Sequence, residues 1–417
     1  MSNLKKPRLL FLMHYLEIGG AEISLIGMLQ SLDYSRVDVD LFLYAHRGEL
    51  LQFIPPQVNV LPEVPVYADI ERSMSTALRN GHPALVAARL WARWKHSRYA
   101  RRCRKAAGKA VTDDASIFQY VGNAVTPVLP SINPGTEYDL AISFLTPHNV
   151  CRDKVRARRK VAWIHTDYST ISVNAPLELP VWDSFDYIAS ISPRVTETFL
   201  SVFPTLRNKI VEIGNILTTS FVRGRAAEFD AHAELHPDNR MALLSVGRYT
   251  RPKNYDNVPD IARRMIEAGA PPFRWYIIGY GGEEALIRQR IAEAGMEDTV
   301  ILAGKRANPY PYISACDVFV QPSRYEGKSV TVCEAQMLCK PVAITNYPTA
   351  PSQVTPGEDG IIVPLENPAC AEALTAFLKN TDLQRRLSQN LAAQDRGNGG
   401  EALKLMDLIP PLKEAES

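Results

Sequence analysis

Strand-like and helix-like segments alternate along this chain, and they do so twice over. The strand-like segments are short apolar runs such as Arg8–Met13 and Ala242–Val246, whereas the segments between them repeat apolar residues every three or four positions. Such alternation is typical of a parallel sheet with helices on both faces. Because 417 residues exceed the usual limit of one hydrophobic core, we expect two doubly wound α/β domains.

The boundary between the two halves is predicted at Leu217–Asn239, where the apolar periodicity stops and charged residues accumulate. The predicted strands are Arg8–Met13, Val37–Leu43, Leu140–Phe144, Val161–Ile164, Tyr187–Ser192, Ile210–Ile213, Ala242–Val246, Trp275–Ile278, Val300–Leu302, Asp317–Gln321, Val342–Thr345 and Ile361–Val363. The clearest helices are Ile23–Leu32, Arg194–Phe203, Val258–Ala268, Glu283–Ala294, Val330–Leu338 and Cys370–Leu378. The domains are therefore predicted at residues 1–216 and 217–395, followed by a tail, 396–417, with one more amphipathic segment.

Composition excludes several classes of function. A net charge of +2 argues against a dedicated nucleic-acid-binding protein. The apolar run Leu9–Met13 is too short for the core of a signal peptide, and no stretch of the sequence is long enough to span a membrane. The six cysteines form no Cys-x-x-Cys pair and have no histidine at metal-binding spacing, which indicates a reducing compartment. We expect a cytoplasmic protein without a metal site.

Two carboxylates eight positions apart form the first candidate site. Glu326 follows the predicted strand Asp317–Gln321, and Glu334 lies in the helix predicted to begin at Val330. Carboxylates accept hydrogen bonds from sugar or ribose hydroxyls, while the free N–H groups and dipole of a helix N-terminus attract an anion. This segment predicts a site for a ligand that carries both hydroxyls and phosphate.

A second loop supplies cations for the same anion. Arg248 and Lys253 follow the predicted strand Ala242–Val246. In an open parallel sheet, ligands collect outside the carboxyl ends of the strands, where both loops are expected to lie. A guanidinium and an ammonium suit a diphosphate, although either residue alone is equally typical of a solvated turn.

These pieces occur in the same order as in a known class of enzymes. The chain resembles the retaining GT-B glycosyltransferases of the large group 1 family (family 4), which use nucleotide-sugar donors. The matching pieces are the glycine pair in His14–Glu22, His165 after Val161–Ile164, Val246–Arg248 with Lys253, Ile278–Gly281, Glu326 with Glu334, and Asp359–Val363. The resemblance implies two Rossmann-like domains facing a central cleft, with the acceptor on the N-terminal side. It also implies that the nucleotide sugar binds the C-terminal domain and that the last helix crosses back to the first domain.

The resemblance assigns roles to individual residues. Glu326 would contact hydroxyls of the transferred sugar, Glu334 the ribose, and His165 the sugar. Arg306 would lie in the base-binding loop. The catalytic residues implied are Arg248, Lys253, Glu326 and His165. The donor-binding residues implied are Gly19, Gly20, Gly247, Gly279, Arg306, Gly327, Lys328, Ser329, Val330 and Glu334. No metal or cofactor is expected, because the cations replace a metal and the nucleotide sugar is a substrate.

Some of these residues are also compatible with a purely structural or surface role. The glycine pair is also a common tight turn, His165 is also compatible with a structural histidine, and Arg306 with a solvated surface residue. The commonest family pattern has an aromatic residue and a glycine where Lys328 and Ser329 stand, so the identity of the donor stays open.

The predicted function is transfer of a sugar, of the hexosyltransferase type, to a glycan or lipid-linked acceptor in cell-surface polysaccharide synthesis. The prevalence of donors within the class favours a UDP-sugar, with a GDP-sugar as the second choice. Two alternatives remain: a sugar-nucleotide epimerase or hydrolase of the same fold, and a non-catalytic glycan-binding relative.

Residues Arg89–Lys109 form a basic stretch with nine Lys or Arg residues, no acidic residue, and interleaved Trp91, Trp94 and Tyr99. A basic, aromatic helix is typical of a surface that lies on an anionic membrane. A second basic run, Arg152–Lys160, adds charge to the same half. The stretch predicts peripheral binding to the inner face of the membrane, and a solvated helix that covers the sheet is the alternative.

Overall fold

The computed structural model describes residues 6–17, 19–107, 114–326 and 329–411, with residues 104–107 described by their backbone alone. Contacts divide the chain into two compact units. The first unit comprises Met1–Leu217 and Asn398–Ser417, and the second comprises Thr218–Gly397. The chain therefore begins in the first unit, passes through the second and returns to the first.

Parallel strands form the centre of the first unit. They are β1 (Arg8–Met13), β2 (Asp38–Leu43), β3 (Asn59–Val60), β4 (Tyr138–Ser143), β5 (Ala157–Ile164), β6 (Tyr187–Ser190) and β7 (Ile210–Glu212). Within the described residues they make one sheet in the order β3-β2-β1-β4-β5-β6-β7. Strand β1 is apolar at consecutive positions because both faces of the sheet are covered. The strand order reverses between β1 and β4, where an open α/β sheet leaves a crevice at the carboxyl ends of its strands.

Helices cover both faces of this sheet. They are α1 (Gly20–Ser31), α2 (Pro65–Ala68), α3 (Met74–Arg79), α4 (Pro83–Ala107), α5 (Ser116–Val125), α6 (Asn149–Lys154), α7 (Ala175–Trp182) and α8 (Pro193–Val202). The helix α4 packs through buried residues such as Leu85 and Ala92, whereas Leu90, Trp91 and Trp94 stay about half exposed.

The second unit repeats this plan around its own sheet. Its helices before the sheet are α9 (Thr219–Ala226) and α10 (His232–Leu235). Its strands are β8 (Met241–Val246), β9 (Phe273–Ile278), β10 (Val300–Gly304), β11 (Val318–Gln321), β12 (Val342–Thr345) and β13 (Ile361–Val363). The covering helices are α11 (Val258–Glu267), α12 (Glu284–Ala294), α13 (Tyr310–Ala315), α14 (Val330–Met337), α15 (Asn367–Lys379) and α16 (Thr381–Ala392). All pairings are parallel, in the order β10-β9-β8-β11-β12-β13.

The returning segment is held by hydrogen bonds within the first unit. The Asn398 side chain accepts from the backbone N–H of Leu217 at 2.8 Å, and Glu401 accepts from the backbone N–H of Gly214 at 2.8 Å. The last helix, α17 (Glu401–Met406), packs against α1.

The structure corrects the predicted contribution of the second basic run, Arg152–Lys160, to a basic surface. Strand β5 begins at Ala157 rather than Val161, so part of the second basic run lies in the sheet. Arg158 pairs with Asp139 at 2.9 Å, and Lys160 donates to the backbone carbonyl of Arg152 at 2.7 Å. These cations are engaged within the first unit and do not form an open basic surface.

Candidate functional site

The two loops singled out in the sequence leave neighbouring strands of the second unit. The strand order reverses between β8 and β11, and these strands are hydrogen-bonded to each other. The loop after β8 carries Lys253, and the loop after β11 carries Glu326. The Nζ of Lys253 donates to Oε1 of Glu326 at 2.6 Å. The structure thus brings these two predicted site residues together at the edge of the sheet where ligands usually bind.

Backbone contacts fix the loops to each other. Asn254 adopts a left-handed conformation, with φ of 62°, and its side-chain amide donates to the carbonyl of Pro322 at 2.8 Å. The backbone N–H of Arg324 donates to the carbonyl of Pro252 at 2.8 Å. Because these bonds need no ligand, the two loops are organised before anything binds.

Two predicted glycines permit the close approach of the β8 and β9 loops. A Cβ on Gly279 would lie 1.9 Å from the carbonyl oxygen of Gly247. A Cβ on Gly247 would lie 2.8 Å from the hydroxyl of Tyr255 and 3.0 Å from Cε of Lys253. A side chain at Gly279 would therefore displace the backbone of the loop that carries the lysine, and one at Gly247 would crowd the side chains of Tyr255 and Lys253.

Glu326 is held by several donors at once. Besides Lys253, the hydroxyl of Ser323 donates to its Oε1 at 2.7 Å and the amide of Gln321 at 3.1 Å. The hydroxyl of Thr349 donates to its backbone carbonyl at 2.8 Å. These bonds orient the carboxylate for hydrogen bonds with a ligand hydroxyl.

Unlike Lys253 on the same loop, Arg248 has no partner among the described residues. Its side chain is exposed, and no hydrogen bond or ion pair reaches it from any residue that the structure describes. A guanidinium without a protein partner on this loop is available to a bound anion.

The N-terminus of α14 is partly occupied by the protein itself. The backbone N–H of Ser329 donates to Oε1 of Gln353 at 3.1 Å, and the Gln353 amide donates to the Ser329 carbonyl. Val330 is 55% exposed. The Ser329 N–H is therefore not open to a phosphate, and the free N–H groups of this helix begin at Val330. Gly327 and Lys328, also predicted to bind the donor, lie outside the described residues.

Glu334 lies deeper than Glu326, in the interior of α14. Its side chain accepts a hydrogen bond from the hydroxyl of Tyr310 at 2.8 Å. Burial, which this hydrogen bond offsets only in part, raises the pKa of Glu334 to about 7. The folded protein therefore holds a carboxyl group that resists ionisation near neutral pH, as binding sites often do.

The two glutamates are predicted to differ in their effect on nucleotide binding. If Glu334 holds the ribose, Glu334→Gln is expected to weaken the binding of UDP, while Glu326→Gln leaves it undiminished and lowers turnover. Calorimetric titration of both variants measures this, and equal losses of UDP affinity would contradict the division of roles.

The pKa of Glu334 also predicts an effect on stability. Because its pKa in the folded state is raised above the unfolded value, the stability of the wild type falls as the pH rises from the unfolded pKa to about 7. The neutral Glu334→Gln variant is thus expected to melt at a higher temperature than the wild type at pH 8, and to lose this advantage at pH 5. Thermal unfolding without ligand at both pH values tests it.

Arg306 has partners within the protein. It pairs with Glu234, and its guanidinium lies over the ring of Tyr312, 5.3 Å from the centroid. The Tyr312 hydroxyl also donates to Glu234, at 2.9 Å. A nucleotide base would have to share this guanidinium with Tyr312 and Glu234, and the stacking role stays a prediction.

The predicted residues of the first unit lie at the carboxyl edge of its own sheet. Helix α1 begins at Gly20, and Gly19 is its N-cap. Nothing lies within 4 Å of a Cβ built on Gly20, so sterics alone do not require glycine there. The ring of His165 packs against Phe144, with centroids 4.8 Å apart. Burial lowers the pKa of His165 to about 3, despite an opposing influence of Asn215, so the ring is neutral.

Sequence reasoning missed the residues that support the site. Gln353 and Tyr310 lie outside the motifs, and neither belongs to a recognised pattern. His14 was noted only as part of the glycine-pair motif, although it leaves the end of β1 just as His165 leaves the end of β5. Its position after a buried strand was the available signal.

Comparison with known proteins agrees with this geometry. Residues 227–394 match the sequence model of the family described as Glycosyl transferases group 1. Among curated relatives, the alpha-D-kanosaminyltransferase of Streptomyces kanamyceticus is 25% identical over 158 residues, which are 37% of this chain and 41% of that protein. The amylovoran biosynthesis glycosyltransferase AmsD of Erwinia amylovora is 26% identical over 150 residues, 36% of this chain and 41% of the relative. The matched segments thus span about two fifths of these relatives' own lengths.

Solved structures resemble the whole chain. The Anabaena protein Alr3699/HepE, in complex with UDP and glucose, has a TM-score of 0.58 at 17% identity and covers 97% of this chain and 100% of its own. TarM, from S. aureus, has a TM-score of 0.60 at 12% identity, covering 98% and 100%. At these identities the likeness establishes the fold, which is GT-B with two Rossmann-like domains, as the sequence predicted. The match to the group 1 glycosyltransferase family lies within the second unit, at residues 227–394.

Proposed function

We propose that this protein transfers a sugar from a nucleotide diphosphate sugar to a glycan or lipid-linked acceptor, with retention of the anomeric configuration and without a metal ion. The observation that carries the proposal is the pair of Lys253 and Glu326, 2.6 Å apart at the strand reversal of the second unit, with the exposed Arg248 on the same loop as Lys253. One ligand class supplies both the anion and the hydroxyls that these residues would bind.

The proposed roles of these residues follow from the atoms on which charge develops during sugar transfer. When the bond between the sugar and the diphosphate breaks, negative charge grows on the leaving oxygen, and Arg248 and Lys253 stabilise it. Glu326 accepts hydrogen bonds from hydroxyls of the transferred sugar and so holds the anomeric carbon in place. The departing phosphate receives the proton of the acceptor hydroxyl, which is why this mechanism needs no separate general base.

The relatives narrow the choice of donor and acceptor. The Anabaena neighbour was crystallised with UDP and glucose, which favours a UDP-sugar. Relatives named for amylovoran and for lipopolysaccharide core biosynthesis favour an acceptor in cell-surface polysaccharide synthesis. Class prevalence among donors points the same way, with GDP-sugars as the second choice.

Exposed aromatic and basic side chains of helix α4 support the proposal that the protein binds a membrane surface. Trp91 and Trp94 stack on each other, with centroids 4.8 Å apart, and are 50% and 48% exposed. Lys95 lies over Trp91 and Arg98 over Trp94, at 5.0 and 4.8 Å from the ring centroids. In the described part of the chain, no helix is both long and apolar enough to cross a bilayer. We therefore infer peripheral binding to an anionic inner surface through this basic, aromatic face.

Donor turnover with and without acceptors tests the proposed function. Purified protein is first screened for thermal stabilisation by UDP, GDP and ADP, because a ligand that binds only the folded state raises its stability. We expect UDP to stabilise most. Release of nucleoside diphosphate from the matching sugar nucleotides is then measured.

The outcomes of this assay separate the alternatives. Release that depends on a glycan or lipid-linked acceptor, with EDTA present, supports transfer without a metal. Release without any acceptor indicates a hydrolase, and interconversion of the donor sugar indicates an epimerase. Nucleotide binding without any turnover indicates a non-catalytic relative.

A further inference from the structure

Glu178, on α7, is buried in the core of the first unit and is bonded through one of its two carboxyl oxygens. The side chain is 3% exposed. The amide of Gln119, the hydroxyl of Tyr168 and the indole N–H of Trp182 all donate to its Oε1, each at 3.0 Å. Its Oε2 is also buried, and it has no hydrogen-bond partner among the described residues.

This asymmetry fits a carboxylic acid better than a carboxylate. A carboxylate spreads its charge over two equivalent oxygens, and burying one of them without a donor costs free energy. In the protonated group the two oxygens differ, because the carbonyl oxygen accepts and the hydroxyl oxygen donates. The three donors identify Oε1 of Glu178 as the carbonyl oxygen, so the proton belongs on Oε2.

A proton on Oε2 needs an acceptor, and Gln119 supplies one. The Oε1 of Gln119 is buried, and it too lacks a partner in the ranges that the structure describes. It belongs to the same amide group whose nitrogen donates to Glu178. A carboxylic acid and a primary amide can join through two hydrogen bonds, one donated by each group. A single proton would thus give a partner to both of these buried oxygens.

The titratable groups that face Glu178 carry no charge that could replace this proton. They are Tyr168, on the loop after β5, and His148, whose ring packs on Trp182 with centroids 4.4 Å apart. Burial raises the pKa of Tyr168 and lowers the pKa of His148 to about 3, so both are neutral at physiological pH. Burial also raises the pKa of Glu178 to about 7, against the opposing effect of its three hydrogen bonds.

The hydrogen bonds of Glu178 join three parts of the first unit. Gln119 lies on α5, which forms an apolar wall of a 510 Å³ cavity at the strand reversal between β1 and β4. Tyr168 lies on the loop after β5, three residues beyond His165. Trp182 and Glu178 itself belong to α7. One buried carboxyl group therefore connects the cavity wall, the His165 loop and α7.

We propose that Glu178 and Gln119 form a proton-dependent lock between α7 and α5, closed by a proton on Oε2 of Glu178 and opened when that proton is lost to water. In the closed lock, Oε2 donates to Oε1 of Gln119, while the Gln119 amide donates to Oε1 of Glu178. In the open lock, a charged oxygen faces the Gln119 carbonyl oxygen, and their repulsion loosens α5 and the cavity wall that it forms. The lock does not depend on the proposed sugar transfer.

Hydrogen exchange of the α5 amides tests the lock. Because the pKa of Glu178 in the folded state is above its unfolded value, the stability that the proton provides is lost as the pH rises from the unfolded pKa to about 7. After correction for the intrinsic effect of pH on exchange, the protection of α5 in the wild type is expected to fall at least about tenfold from pH 5 to pH 8. Glu178→Gln, whose amide can always donate to Gln119, should keep its protection at both pH values.

A matched control comes from Glu334, whose pKa is also raised to about 7 but which lies in the second unit. Glu334→Gln is expected to leave the protection of α5, and its dependence on pH, as in the wild type. Gln119→Leu removes the acceptor of the Oε2 proton, so it should weaken the protection of α5 already at pH 5. The infrared difference spectrum at pH 5, wild type minus Glu178→Gln, should contain the band of a protonated carboxyl group.

Two results would overturn the lock. One is protection of α5 in the wild type that changes with pH no more than in Glu178→Gln. The other is an infrared difference spectrum without the band of a protonated carboxyl group. If Glu178→Gln does not fold, the wild type alone still decides, because the loss of protection must occur in α5 and α7 and not in α11 of the second unit. A loss of equal size in α11 would contradict the proposal.

Discussion

Replacement of Lys253 by alanine is expected to lower sugar transfer by about a hundredfold to a thousandfold. Loss of one donor to a developing anion typically raises the barrier by about 2.7–4 kcal/mol. The lysine is held near the site by its contact with Glu326, so its ammonium is already in place when the donor arrives. Initial rates with saturating donor measure the effect.

The fold should survive this change. Ser323 and Gln321 still donate to Glu326 when the lysine is gone, so the carboxylate keeps protein partners. A matched control is Lys379→Ala, because Lys379 is an exposed lysine of the same unit whose ammonium donates to the carbonyl of Ala268 at 3.4 Å. Wild-type turnover in folded Lys253→Ala would refute the assignment, and Arg248→Ala is expected to behave like Lys253→Ala.

Reversal of four charges on α4 is expected to release the protein from anionic membranes. Each Lys or Arg near such a surface contributes about 1 kcal/mol, so the loss of four cations weakens binding by at least about 4 kcal/mol, roughly a thousandfold. The variant changes Lys95, Arg98, Arg101 and Arg102 to Glu, all of which are exposed. Co-sedimentation with anionic and with neutral liposomes measures the difference.

A control with the same change in net charge separates a surface effect from a global one. Arg288, Arg290, Arg385 and Arg386 are exposed residues of the second unit, and their change to Glu should leave membrane binding intact. High salt should remove the electrostatic contribution to membrane binding, because exposed charges are screened within roughly 8–10 Å at physiological ionic strength. Binding that persists in salt should depend on Trp91 and Trp94. Equal sedimentation of both four-residue variants would show that α4 is a solvated face.

The strands could be predicted because burial on both faces of a sheet requires a recognisable apolar pattern in the sequence. Strands covered on both faces are continuous apolar runs, so β1, β12 and β13 were predicted with the bounds that the structure has. Strand β5 was predicted too short because its first residues are basic. Arg158 finds Asp139 on the adjacent β4, and such a partner is visible only after folding.

Short elements show no such pattern and could not be predicted in this way. Strand β3 has two residues and α2 has four, too few for any period to be recognised. The same limit applies to the site. The loops that carry Lys253 and Glu326 were predicted to meet because the strand order of a parallel sheet follows general rules. Glu178 could not be linked to Gln119, since 59 positions separate them and neither lies in a shared motif.

The pair of Lys253 and Glu326 has a consequence for product release. Under the proposed function, a complete sugar nucleotide offers an anion to the lysine and hydroxyls to the glutamate, so both partners are compensated when the ion pair opens. A spent nucleoside diphosphate still offers the anion but has lost the sugar hydroxyls, which leaves the glutamate without a replacement for its cation. Re-formation of the ion pair between Lys253 and Glu326 then competes with the binding of the retained nucleoside diphosphate to Lys253. Transfer of the sugar would by itself weaken the hold on the other product and clear the site for the next donor.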